Sequence, residues 1–177
     1  TVFSVLAVLT SASPAKAQVE NAPSLPTPAS VFLEGLTWVE LRDAIAASKT
    51  TVIIPTGGTE QNGPIMVLGK HNYLVRYKAG EIAKQLGNAI VAPVLPYVPE
   101  GEIPGAKPAA GHMRFPGTIT TPEDAYEKVL EYAARSLKCA GFLDIAMTGD
   151  SGGNQNGQKA VSELLNKEWA GTNVRVH

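Results

Sequence analysis

The 177-residue sequence has a single cysteine, Cys139, so no internal disulfide can hold it together and its stability has to come from an apolar core. Cys139 falls on a helical stretch and is expected to be a buried structural thiol, since only Lys138 stands near it as a possible activator. Bulk charge is missing as well. The formal net charge of -1 leaves no basic surplus for a nucleic-acid backbone. The apolar run at Val2–Leu9, VFSVLAVL, is too short to cross a bilayer as a permanent helix. Two motifs are absent too. No G-K-[ST] follows a glycine loop, which excludes the common phosphate cradle. Gly149-Asp150-Ser151-Gly152-Gly153 does not match the G-x-S-x-G nucleophile elbow, and only the terminal His177 lies downstream of it.

What is present divides the chain into three parts. Val2–Leu9 followed by small residues and Ala15-Lys16-Ala17, an A-x-A site before Gln18, is the pattern of a secretory leader that lacks its start. Residues 1–17 are therefore expected to be a signal peptide, with a secreted or periplasmic mature protein beginning near Gln18. Residues 18–30, carrying Pro23, Pro26 and Pro28, read as an extended linker. With 44% hydrophobic residues, 31–177 should form one folded domain.

Within that domain Thr37 and Glu40 form a capping box for a helix over 37–48. Val52, Ile53 and Ile54 mark a short buried strand that ends near Pro55. A helix over 72–86, with Leu74, Tyr77, Ile82, Ala83 and Leu86 near its apolar face, is stopped by Gly87-Asn88 before a second strand over 89–94. Residues 95–117 contain too many prolines and glycines for a regular element and predict a long functional loop. Thr121 and Pro122 open a helix running to Ala140. A strand over 142–147, a helix over 157–169 and a strand over 173–176 follow. This alternation predicts an α/β fold with a mainly parallel sheet covered by helices on both faces.

Glu60 follows the first strand and Asp150 the third, each through a glycine-containing turn, so a parallel sheet would bring both carboxylates to the edge where such folds bind ligands. Glu60 and His71, on one loop, supply an oxygen and a nitrogen donor suited to zinc or manganese. By themselves, a lone Glu and His eleven residues apart are more often a solvated surface acid and a helix-capping or core histidine. In the long loop His112 and Arg114 are candidates for substrate contact. The competing reading has Phe115 and Pro116 pinning the loop while His112 bonds to backbone.

Three ordered stretches, TEQNGPIMVLGKHN, GHMRFPGTIT and GDSGGNQ, resemble the creatininase (creatinine amidohydrolase) family, with its E-x-H-G-P-H-x-x-L-G-x-D loop, F-P-G-T segment and later N-G-H-G-G-N loop. The resemblance covers about 36–155. It implies a three-layer α/β/α fold, here truncated at the C-terminus because the chain is shorter than its relatives and stops at a strand. It also implies a divalent metal, zinc first with manganese or iron as alternatives, and hydrolysis of an amide C–N bond, cyclic in some members, by a metal-activated water. A small-molecule substrate and a homo-oligomer are implied, with no nucleic-acid or membrane partner after leader removal. Glu60 stands at the family's metal-binding glutamate. Asn62 and Ile65 replace two of its histidines, and His71 replaces its bridging aspartate. In the later loop either Ser151 or, with one inserted residue, Asp150 takes the place of a metal-binding histidine. A mononuclear site of Glu60, His71 and Asp150 is the expectation, with His112, Arg114, Ser151 and Asn154 around the substrate. Those same replacements equally describe a degenerate member that binds without catalysing.

Overall fold

In the computed structural model, residues 22–23, 30–105 and 111–177 are described. The proposed signal peptide and most of the linker lie outside them. Four strands, β1 (Thr51–Thr56), β2 (Ala89–Val91), β3 (Asp144–Gly149) and β4 (Arg175–Val176), form an all-parallel sheet in the order β2-β1-β3-β4. β1 and β3 pair along their whole lengths, from Thr51 opposite Asp144 to Thr56 opposite Gly149. Their carboxyl ends are therefore level, and the chain leaves both at one edge.

Helices cover both faces. α1 (Trp38–Ala46) starts at the expected Thr37–Glu40 capping box. On one face α3 (Glu123–Ala140) and α4 (Gln155–Glu168) bury Tyr126, Leu130, Ala134, Val161 and Leu165 against Val52, Ile54, Ile90 and Ile145. On the other, α2 (Lys70–Leu86) presses Ala79 and Ala83 onto Ile53, Ala89 and Val91. The three-layer α/β/α arrangement is thus present. None of the described helices is long and apolar enough to cross a membrane.

Four local expectations are corrected. The buried side of α2 is His71, Val75, Ala79, Gly80 and Ala83, whereas Leu74, Tyr77, Ile82 and Leu86 are exposed. The small residues face inward because the helix packs closely: a Cβ on Gly80 would come within 2.7 Å of Phe32 Cζ. α2 also starts at Lys70, two residues earlier than expected, which places His71 in its first turn. Cys139 is exposed, because the buried stripe of α3 runs through Leu130, Ala134 and Leu137 and a residue two further on points about 200° around the helix. Finally, Pro122 rather than Thr121 occupies the N-cap of α3, without a side-chain cap bond.

Candidate metal centre

The carboxyl edge of β1 and β3 is shaped by glycines. A Cβ on Gly57 would collide with Asn72, and one on Gly58, at φ +150°, with the Glu100 carboxylate. Asn72, in the first turn of α2, accepts from the Gly58 N–H at 3.0 Å and fixes the turn. The Glu60 N–H then donates to Leu68 O at 3.0 Å and closes the loop. Glu60 is buried as a result, at 3% exposure.

Around Glu60 two chains of contacts meet. On one side His71 Nε2 lies 2.7 Å from Glu60 Oε1 and His71 Nδ1 lies 2.7 Å from Asp150 Oδ2, while Lys78 Nζ reaches Asp150 Oδ1 at 2.6 Å. Asn62 Nδ2 donates to Glu60 Oε1 at 2.9 Å, and Lys70 Nζ donates to Asn62 Oδ1 at 2.7 Å. On the other side His112 Nδ1 is 3.0 Å from Glu60 Oε2 and 3.0 Å from Gln61 O. Glu60, Glu100 and His112 offer donor atoms that all lie within 4.8 Å of one another.

The long loop covers this edge. The Gln61 N–H donates to Thr118 Oγ1 at 3.1 Å, Thr118 Oγ1 donates to His112 O at 2.9 Å, and Thr59 bridges Ile119 in antiparallel fashion. The Glu100 N–H donates to Thr120 Oγ1 at 3.0 Å, and the His112 N–H to Glu100 O at 3.2 Å. Glu100 and His112 are in this way fastened together above Glu60.

The electrostatics follow from burial. Burial pushes the Glu60 carboxyl up, but hydrogen bonding with Glu100, Asn62 and His71 outweighs it and holds the group below the usual carboxylate range. Glu100 moves the other way. Burial first, and the Glu60 carboxylate second, push it up to about 8 against the pull of Lys70. Asp150 is held low, chiefly by Lys78 and then, against some burial, by His71.

Of the residues singled out from sequence, Glu60, His71 and Asp150 do come together, as a linear relay with His71 in the middle, and His112 joins from the far side. Arg114 does not: it is exposed and its Nε donates to Gly111 O at 3.2 Å, within its own turn. Ser151 is half-buried beside Asp150, and its carbonyl accepts from the Asn154 N–H at 3.3 Å. Asn154 is fully buried and donates through Nδ2 to Gly57 O at 2.9 Å, which bolts the start of α4 to the end of β1, while its Oδ1 is buried with no hydrogen-bond partner. Sequence reasoning missed Glu100, Lys70 and Lys78. A carboxylate in a loop already expected to cover the site was the available signal for Glu100.

A divalent ion suits this donor set. Two carboxylates and an imidazole within reach of one another are hard and borderline ligands of the kind zinc and manganese take. Glu100, 6% exposed, has Oε1 buried with no hydrogen-bond partner, an unmet acceptor that a cation would satisfy.

Residues 34–176 match the family model described as creatinine amidohydrolase. The chain belongs to the creatininase family. It is 32% identical over 123 residues to the mycofactocin precursor peptide peptidase of Mycolicibacterium smegmatis, a match covering 66% of this chain and 45% of that protein. It is 25% identical over 147 residues to the 3-dehydro-scyllo-inosose hydrolase of Thermotoga maritima, covering 81% of this chain and 41% of that one. A solved manganese creatininase superimposes with a TM-score of 0.73 at 25% identity, over 83% of this chain and 56% of that chain. The chain thus spans less than half the length of these two curated relatives. In this chain His71 has a carboxylate at each of its ring nitrogens.

Proposed function

We propose that this protein is a metal-dependent hydrolase of the creatininase family, cleaving an amide C–N bond in a small molecule or short peptide at the carboxyl edge of β1 and β3. The observation that carries the reading is the convergence of Glu60, Glu100 and His112 donors on one buried spot beneath the long loop. The two curated relatives, one named a peptidase and the other a hydrolase, support hydrolysis as the reaction class. Glu60 would hold the ion, because its carboxylate is central to both contact chains. When bound, such an ion supplies Lewis-acid polarisation of a carbonyl and makes a water easier to deprotonate.

The chain's own residues do the rest. His71, Asp150 and Lys78 fix Glu60 from behind, so its orientation does not depend on the incoming substrate. The 59–62 backbone and the 111–119 segment wall off solvent. Beside them a groove of about 480 Å³, lined by Gln61, Gly63, Met66, Leu68 and Phe115 among others, can seat the apolar part of a substrate.

Incubating the full chain, loaded with zinc or manganese, with a panel of cyclic amides, lactones and short peptides tests this. The expected result is C–N cleavage that a chelator abolishes and added metal restores. Absence of both stoichiometric metal and turnover would favour instead a binding protein on a hydrolase scaffold, the reading suggested by the replacements at Asn62 and His71. Lactone opening without amide cleavage would change the substrate class. We also infer export, supported by Ala15-Lys16-Ala17. Intact mass of the exported protein should place its first residue at Gln18, and retention of residues before it would count against the leader.

A further inference from the structure

We propose that the metal ion is single and lies on the far side of Glu60 from His71, ligated by Glu60, Glu100 and His112, while His71 and Asp150 position Glu60 without touching the ion. This rests on the hydrolase reading above and assigns its ligands, two of which fall outside the metal positions of the loop pattern the family resemblance supplied.

The hydrogen-bonding capacity of the two histidines decides between the faces. A neutral imidazole has one lone pair to give, and an ionised carboxylate only accepts. His71 has a carboxylate oxygen 2.7 Å from each ring nitrogen, so an ion could reach either nitrogen only by displacing Glu60 or Asp150 from it. Asp150 is equally committed, with one oxygen on His71 and the other on Lys78. His112 differs. Its Nδ1 faces two acceptors, Gln61 O and Glu60 Oε2, and so carries the ring proton, which leaves the lone pair on Nε2, the nitrogen with no partner among the described residues.

Glu100 gives an independent reason. Its carboxylate is buried beside that of Glu60, and Oε1 has no protein partner. Two adjacent buried carboxylates are unfavourable unless a proton or a cation lies between them. Metal–ligand bonds of about 2.1 Å put neighbouring ligand atoms roughly 3.4 Å apart in a tetrahedral shell, so a spread within 4.8 Å closes on an ion with small side-chain adjustments. The contacts from Glu100 to Thr120 and from His112 to the Glu100 carbonyl hold both ligands on one rigid stretch of the loop.

The test is calorimetric titration of the chelator-stripped full chain with Zn²⁺ and with Mn²⁺, for the wild type and for Glu100→Gln, His112→Ala and Asp150→Asn. Each variant is checked for folding by circular dichroism, and His112→Gln serves as substitute if His112→Ala unfolds. The expected result is one ion per wild-type chain, affinity reduced more than about a hundredfold in the Glu100 and His112 variants, and about ten- to a hundredfold in Asp150→Asn. In the Co²⁺-substituted protein the visible absorption bands should change on His112 replacement and persist in Asp150→Asn. Two ions per chain, or binding lost in Asp150→Asn and kept in the Glu100 and His112 variants, would overturn the assignment while leaving a metal hydrolase standing. A wild type that binds no ion would overturn both.

Discussion

Changing Glu60 to alanine should remove metal binding altogether and also lower the stability of the metal-free protein, two effects that a ligand on the surface would not combine. Loss of the ion follows because the Glu60 carboxylate faces His71 on one side and the Glu100–His112 pair on the other, so every arrangement of an ion at this edge includes it. Loss of stability follows because His71 Nε2 is buried and would lose its acceptor, at a cost of about 1–3 kcal/mol. Glu60→Gln separates the two effects: its amide oxygen can still accept from His71 while the neutral side chain is a poor metal ligand. Metal analysis together with urea unfolding of both variants is the measurement. A Glu60→Ala protein that retains a full equivalent of metal would place the ion elsewhere.

The sheet edge was legible from sequence because its cause is local. β-branched runs ending in glycine turns specify strands that deliver their next polar residues to one side, and Glu60 and Asp150 were found that way. The families of contacts that give those residues their roles are not local. Lys78 reaches Asp150 across 72 positions and His112 reaches the Glu60 loop across 51, and no periodicity reports such pairs. The face of α2 was misread for a related reason. Leu74, Tyr77 and Ile82 carry the greater hydrophobicity, but the buried positions nearest the middle of the helix are Ala79, Gly80 and Ala83, and the close neighbour that leaves no room for a side chain at Gly80 is Phe32, far away in the chain. The resemblance placed Asn154 around the substrate, and nothing local in the sequence reports that it is buried. Its burial depends on Gly57 presenting a carbonyl that needs a donor.

Stability of the metal-free protein should fall as pH rises from about 5 to 8, and Glu100 is the reason. In the folded chain burial and the neighbouring Glu60 push its carboxyl up to about 8, whereas in the unfolded chain it titrates near 4.3. Between those values the folded state holds a proton that the unfolded state has released. Raising the pH through this window therefore favours unfolding, by up to about 1.4 kcal/mol per pH unit, and the loss levels off once Glu100 is ionised in both states. The lowered groups Glu60 and Asp150 act in the opposite sense, but only under more acidic conditions, as pH falls through their depressed values. Urea midpoints of the chelator-treated protein at pH 5, 6.5 and 8 should decline in the wild type and flatten in Glu100→Gln. Identical slopes in the two proteins would show that Glu100 is ionised at neutral pH without metal. A bound ion reverses the trend, because it selects the ionised carboxylate and displaces its proton; metal affinity should accordingly rise across the same interval in which the metal-free fold weakens.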